Sequence, residues 1–568
     1  MVISLWLAVT PWIKLVEMES NRSTVIPLDD IEDGDWYAQR GPVAIDGREA
    51  LFIELIEELS SKRPLTGQAY NRTMRKYVGE GLPWLNKGQL LGVYEELCAA
   101  GALTFDPEMR TTLQMKPTRS QAGVTVVTVL TKPYPCPGKC IFCPTDVRMP
   151  KSYLHDEPGA QRAERHGFDP YTQTRARIRA LEQIGHPAEK IELLILGGTW
   201  SSYTRSYQEW FIKRCFDAMN EVNAETLAEA QAINEKGNRR NVGLVVETRQ
   251  DRINEEELRW LRSLGVTKVQ VGIQSLDDHI LAINNRGHDV QATRDAFRLL
   301  RLAGFKIHGH WMANLLGATP ESDIEDYGRL WSDPAIRPDE LKIYPCILVE
   351  NAELYKYWQR GEYRPYSEEE VRDVLVSCMT QTPRWVRLNR VIRDFPTTHV
   401  VAGNKKANMR QIAQNKMKAE GLPLRDIRYR EIRRQRVGRE DLQLRVDSYE
   451  TEGTQEHFLS FETADERIAG FLRLSFPDRG RPHPFSELED HAMIREVHVY
   501  GPALDLGEES RGEAQHIGLG TELIEEAKRM AREAGYSSLA VISAIGTRGY
   551  YAKLGFELNG LYMTTALA

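Results

Sequence analysis

Cys136, Cys140 and Cys143 fall within eight residues at the spacing C-x3-C-x2-C, with Phe142 just before the last of them. Three thiolates can hold three irons of a [4Fe–4S] cluster and leave the fourth iron open to a ligand. A structural zinc site wants four closed ligands. No fourth cysteine follows within reach, although His155 or His166 could complete such a site. A second chemical signal lies far downstream, where Gln515-His516-Ile517-Gly518-Leu519-Gly520-Thr521 fits Q-x-x-G-x-G ahead of a helical stretch. Small residues there expose the amides of a first helical turn, which with the helix dipole bind a pyrophosphate.

These groups need elements to aim them. From Gly123 to about Tyr344, short apolar runs alternate with helical stretches. Strands are expected at Val124–Leu130, Ile191–Leu196, Val242–Val246, Lys268–Ile273, Phe305–His310 and Glu340–Ile343. Repeated βα units predict a parallel sheet, open or closed into a barrel, with functional residues at the carboxyl ends of its strands. The cysteine loop directly follows the first strand. Gly197-Gly198-Thr199 closes the second, and adjacent glycines let a ligand approach the backbone. Glu247-Thr248-Arg249 ends a later strand with a carboxylate and a hydroxyl suited to a ribose or an amino group. Gln274 ends the next, and Asn285-Arg286-Gly287-His288 adds polar groups beyond it. His308 and His310 read as pocket lining, Cys346 as a buried or pocket thiol, and Cys98, Cys215 and Cys378 as core.

From Leu442 the pattern changes to strands at Leu442–Val446, His457–Phe461, Ala469–Leu474 and Ile494–Val499. A helix over Gly518–Glu533, a strand at Leu539–Ser543 and a short helix over Gly549–Leu554 follow. This is a second, α+β domain. With 568 residues the chain divides into two to four domains. The expected boundaries are an acidic arm (1–47), a helical accessory module (48–115), a first catalytic domain (116–345), a basic connector (346–440) and the last domain (441–568). The apolar start, Val2–Val9, is too short to span a membrane. Seven cysteines with three clustered do not form a disulfide framework, and an exposed cluster needs a reducing compartment, so the expected location is cytoplasmic. A net charge of −7 leaves nucleic-acid binding to local basic patches. Two qualify: Asn71–Tyr77, and the run Arg425–Arg436 with its six arginines.

The cysteine spacing with its aromatic is similar to that of the radical S-adenosylmethionine (SAM) enzymes. The order of Glu496-Val497-His498-Val499, the glycine loop and Gly549–Phe556 resembles the GNAT acetyltransferases. Both together closely resemble the catalytic subunit of the Elongator complex and its stand-alone bacterial and archaeal relatives. The likeness also runs through Lys116–Arg119, Asp169–Arg175, Asn285–His288, Leu341–Pro345 and Arg495–Gly501. It implies an α/β chain: a radical-SAM partial (β/α) barrel followed by a GNAT α+β domain, with a small helical N-terminal module.

The resemblance further implies modification of the wobble uridine of tRNA at carbon 5 towards a carboxymethyl-type product. A SAM-derived radical would act on the methyl group of acetyl-CoA, with all ligands delivered to one shared cavity. By position, Cys136, Cys140 and Cys143 would bind the cluster. Gly197, Gly198, Thr199, Glu247 and Gln274 would line the SAM pocket. Lys190, Glu496, Val497, His498, Val499, Gln515, Gly518, Leu519, Gly520, Thr521 and Tyr551 would serve acetyl-CoA, with Tyr551, Tyr550 and Lys190 as candidate catalytic groups. Implied partners are the tRNA anticodon stem-loop and an electron donor, for a monomer or homodimer outside any membrane. Gln250, Leu315-Leu316-Gly317 and Cys346 depart from the family pattern. Two rival readings remain at this stage: a protein lysine acetyltransferase, and a non-catalytic tRNA-binding scaffold.

Overall fold

Apolar runs separated by helices can bury both faces only as parallel strands wrapped by those helices. The computed structural model describes residues 43–116, 120, 122–393, 396–433, 435, 437–480, 483–501 and 518–567. Gln515 and nearly all of the expected arm 1–47 lie outside the described residues. Seven strands pair in sequence order, all parallel: β1 (Thr125–Leu130), β2 (Lys190–Leu196), β3 (Arg240–Thr248), β4 (Lys268–Gln274), β5 (Lys306–Trp311), β6 (Glu340–Ile343) and β7 (Arg387–Val391). β7 lies inside the span expected as a connector.

Strand alternation sorts the side chains. On β2, Ile191, Leu193 and Ile195 are fully buried in the main core, while Glu192, Leu194 and Leu196 are half-buried on the opposite face, towards the lumen of the curled sheet.

The second sheet runs in the order β8 (Gln443–Thr451), β9 (Thr454–Glu462), β10 (Ile468–Pro477), β11 (His491–Val499), β12 (Ser538–Val541), β14 (Tyr562–Ala566) and β13 (Glu557–Asn559). The last two strands had no counterpart among the expected elements. β11 is parallel to β12 only over His491–Ile494, so Arg495–Val499 runs on without that neighbour. A bulge opposite Arg473 and Leu474 puts the extra residue at Arg495. Its guanidinium turns to the barrel and pairs with Asp339 at 2.6 and 2.7 Å and with Glu456 at 2.7 Å, all three fully buried. Residues Lys116–Ala568 form one compact unit carrying both sheets.

Residues up to Met115 form a unit of their own. Its helices, Glu49–Ser61, Gly67–Gly79, Lys87–Ala99 and Pro107–Leu113, close over Phe52, Leu55, Leu59, Met74, Leu90 and Leu97. Thr66, Asn86 and Asp106 cap three of them. In the basic stretch, Arg72, Arg75 and Lys76 stay exposed, but Tyr77 turns inward and donates to Glu58 at 3.0 Å. The arginine run is likewise no open linker. Ile427 and Ile432 sit in the second core, and Arg430 is buried against Glu462 at 2.8 Å.

Candidate active sites at the two ends of the barrel

Strands that end in glycine or polar residues leave a rim, and the cysteine loop folds over it. The loop is pinned by the Ile141 amide donating to Asn284 O and the Leu354 amide donating to Ile141 O, at 3.2 and 2.8 Å. Ile141 and Phe142 pack beside Ile280, Leu315 and Leu348. Cys136, Cys140 and Cys143 then line one cavity of about 220 Å³ together with Gly198, Thr199, Glu247, Gln274, His310 and Lys342. Arg286 Nη1 lies 3.7 Å from Cys140 Sγ, and Thr199 Oγ1 lies 3.5 Å from Cys136 Sγ. Such donors fix ligand sulfurs and stabilise their negative charge. Burial pushes the Cys143 thiol up to about 12, so it surrenders its proton only to a bound cation.

Among the described residues no group of three His, Cys, Asp or Glu could hold a metal ion as a compact set. His155 contacts Asp146 at 3.5 Å and does not line the cysteine cavity. A cluster spreads its ligands over the corners of a cube, and three cysteines around one cavity suit that shape.

The same cavity is prepared for a polar ligand. Gln274 holds a left-handed backbone (φ 69°), and its Oε1 is buried with no hydrogen-bond partner, as is Arg249 Nη1. Strain and orphaned polar atoms at a rim mark a place where a ligand completes the structure. Gly197 must be glycine, since a Cβ there would stand 1.9 Å from Thr131 Oγ1. Gly197 itself lines neither cavity, so its part is backbone shape. Burial raises the Glu247 carboxyl above its ordinary range, against the pull of Lys342, Arg393 and Arg286.

A larger cavity, about 680 Å³, opens at the other end of the same strands. Val126, Thr128, Glu192, Lys268, Lys306 and Glu340 line it from the barrel, and Glu496, Val497, His498 and Tyr551 from the second sheet. Its lining holds seven Arg and Lys against four Glu, a balance suited to an anionic ligand. Lys306 pairs with both Glu340 and Glu496. Burial pushes the Glu496 carboxyl up, but Lys306 and Arg473 outweigh it and hold it below the ordinary range. Burial lowers the His498 imidazole to about 4, so it is neutral.

The glycine loop ends at Gly518, whose left-handed backbone (φ 80°) starts the helix Leu519–Glu533. A Cβ on Gly520 would come within 2.8 Å of the Tyr550 hydroxyl, so a side chain there would displace that ring and cover the first turn. The Leu519 side chain is fully buried in the second core, which leaves only its backbone amide for a ligand. The structure separates the two tyrosines. Tyr551 is buried and lines the large cavity, while Tyr550 is exposed and leans over the helix start. Lys190 and Val499 line neither cavity; Lys190 stands two residues before Glu192 on the same strand face. The single shared cavity of the sequence-based expectation is therefore two cavities, because the barrel lumen between them is filled.

That filling is polar. Glu340 contacts Lys268 at 3.2 Å and Lys306 at 2.9 Å, with His308 Nδ1 at 3.2 Å. Above them, Gln270 Oε1 takes the Lys342 ammonium and His310 Nε2. Sequence reasoning missed this column. Its signal was present as polar residues at every second position, Lys268-x-Gln270 and Lys306-x-His308-x-His310, inside otherwise buried strands.

Fold and sites together define a radical SAM enzyme fused to a GNAT acetyltransferase. Residues 134–328 match the Radical SAM superfamily, 338–419 the Radical_SAM C-terminal domain and 425–556 the Acetyltransferase (GNAT) family. Radical SAM membership implies a [4Fe–4S] cluster and SAM, and GNAT membership implies acetyl-CoA. The tRNA uridine(34) acetyltransferase of Methanocaldococcus infernus is 42% identical over 79% of this chain and 87% of its own. That of Dehalococcoides mccartyi is 41% identical over 79% and 98%, and Elongator complex protein 3 of Danio rerio 36% over 80% and 86%. A solved structure of the archaeal M. infernus Elp3 with an N-terminus deletion superposes with a TM-score of 0.68 at 38% identity, covering 78% of this chain and 99% of that one. The chain belongs to the family of Elongator complex protein 3 and the tRNA uridine(34) acetyltransferases.

Proposed function

We propose that this enzyme builds a carboxymethyl-type group on carbon 5 of the wobble uridine of tRNA, drawing the two-carbon unit from acetyl-CoA. The observation that carries the reading is one compact unit with a three-cysteine cavity at one end of a barrel and a GNAT cavity at the other. When bound, the cluster and SAM supply a 5′-deoxyadenosyl radical. Cys136, Cys140 and Cys143 hold the cluster, with Arg286 and Thr199 stabilising thiolate charge. The backbone at Gly197–Thr199, together with Glu247 and Gln274, holds SAM.

At the opposite end, the first-turn amides of Gly518–Thr521 bind the pyrophosphate of acetyl-CoA. As water opens the thioester and releases acetate, Tyr551 donates a proton to the departing thiolate; burial holds its phenol protonated, above its ordinary range, beforehand. Glu496, Val497 and His498 wall the thioester, while Lys190, Val499 and Gln515 act around that site. Exposed Arg72 and Arg75 suit the phosphates of an anticodon stem-loop. No described helix is long and apolar enough to cross a membrane. The reading includes a cytoplasmic location, an external one-electron donor, and a chain that works alone or as a homodimer.

The test is an anaerobic assay of reconstituted protein with SAM, acetyl-CoA, reductant and bulk tRNA. Mass spectrometry then follows 5′-deoxyadenosine and digested nucleosides. Carboxymethyluridine that depends on all three cysteines supports the reading. CoA release or lysine acetylation alone, with an intact cluster, overturns it in favour of a protein acetyltransferase.

A further inference from the structure

The two cavities share one barrel, and the wall between them is a single layer of side chains. Four strands repeat the same pattern. On β2, Glu192 lines the GNAT-side cavity and Leu196 the cluster-side cavity; on β3 the pair is Gly243 and Glu247. On β4 it is Lys268 and Gly272, and on β5 Lys306 and His310. The lumen-facing residue midway between each pair is Leu194, Val245, Gln270 or His308, and none of these four lines either cavity. Four residues of strand span roughly 13 Å, so the cavities approach each other to about the thickness of one side-chain layer.

Chemistry demands a crossing at this point. Under the function proposed above, the two-carbon unit starts beside Tyr551 and the radical starts beside the cysteines, at opposite ends of these strands. We propose that the barrel lumen is the passage by which acetate, formed when water opens the thioester and CoA leaves as the thiol, reaches the cluster-side cavity, and that Leu194, Val245, Gln270 and His308 form its gate. No bond is made or broken in transit. The inference rests on the functional reading and adds the route to it.

His308 marks the gate as built for a polar guest. It is 2% exposed, and neither ring nitrogen has a hydrogen-bond partner among the described residues; Nδ1 sits 3.2 Å from Glu340 Oε2 without hydrogen-bond geometry. A buried polar ring left open in this way calls for a partner. Burial and Lys342 hold the imidazole neutral, so it offers one donor and one acceptor, which a carbonyl or carboxylate passing the layer can use. Gln270 and Lys342 continue the polar track upward to Glu247 through His310, whose Nδ1 is 3.8 Å from Glu247 Oε1. Leu194 and Val245 supply the apolar half of the ring, against which a methyl group can slide.

The test separates transit from the two half-reactions. In Leu194→Trp the indole fills the lumen. CoA release and 5′-deoxyadenosine formation should persist, while carboxymethyluridine falls at least tenfold. Should Leu194→Trp fail to fold, His308→Phe, nearly isosteric but without ring nitrogens, should show the same split. In the wild type, labelled acetyl-CoA with a large excess of unlabelled acetate should give undiluted product. Wild-type product yield from a folded variant, or diluted label, overturns the passage and leaves the function standing. Absence of carboxymethyluridine from the wild type overturns the function itself, and the passage with it.

Discussion

The two cavities of this barrel are built in opposite ways. The cluster end is made by loops and strand ends of one domain, and six Arg and Lys face only two Glu there. The GNAT end is made by strands of two domains, bound together through buried pairs such as Arg495 with Asp339 and Arg473 with Glu496. The first holds an excess of positive charge that three thiolates and a ligand carboxylate would balance. The second is tied into the interface that joins the two sheets in one compact unit. Substitutions at the first should therefore change chemistry and leave the fold standing, whereas substitutions near the second should reach stability as well.

The largest effect expected is at the cluster end. Cys140→Ser should bring 5′-deoxyadenosine to background, yet acetyl-CoA affinity measured calorimetrically should move less than about 1.4 kcal/mol, a tenfold change. A parallel loss of acetyl-CoA binding would erase the distinction between the ends. At the interface, Asp339→Asn removes the buried carboxylate that Arg495 and Arg473 share, leaving each with one partner, Glu456 and Glu496. Denaturant unfolding should register a loss of about 3–5 kcal/mol, and a loss below about 1 kcal/mol would count against such a join.

Lys342 gives the contrast a sign. Burial, with help from Arg390, lowers its ammonium to about 8 from an ordinary 10.5. Between those values the unfolded chain binds more protons than the folded one, so wild-type stability rises with pH across that window. Below pH 8 the buried charge costs the fold up to about 3 kcal/mol. Metal-free Lys342→Met should be the more stable protein at pH 7, with its advantage gone above pH 10.5. An advantage that does not change with pH would mean the amine is already neutral.

Smaller effects discriminate within the GNAT end. Tyr551→Phe should slow thioester cleavage about 10²-fold, in the range of a lost general acid, and Tyr550→Phe only a few-fold. Equal losses would reject the separation of the two rings. Gly520→Val should weaken acetyl-CoA by roughly tenfold, about 1.4 kcal/mol, without touching 5′-deoxyadenosine yield. Unchanged affinity would place the pyrophosphate elsewhere.

Much of this contrast was legible in the sequence. The six expected barrel strands differ from the observed ones by only a residue or two at most ends, because each carries buried apolar residues at least at every second position, bounded by turn or helical stretches. The cysteine loop and the glycine loop were readable because local spacing sets their chemistry. Three things were not. β7 is Arg-Leu-Asn-Arg-Val, a strand without an apolar run, whose place depends on pairing with β6. The Arg425–Arg436 run looked solvated because the carboxylate that buries Arg430, Glu462, is distant in sequence. The ionic lock of Arg495 depends on a bulge that no residue type announces.

That lock has a consequence for how such a gene can be cut. A piece ending before β8 would keep Asp339 and Arg301, a buried carboxylate that had faced Arg473 and Arg495 and a buried guanidinium that had faced Glu456. The other piece would keep Arg495 with Glu456 and Arg473 with Glu496 but lose the Asp339 that both arginines share. Neither fragment has a solvated surface at the cut. The halves therefore depend on each other: a split of the coding sequence here is expected to give a stable protein only if both products are made side by side and fold on each other.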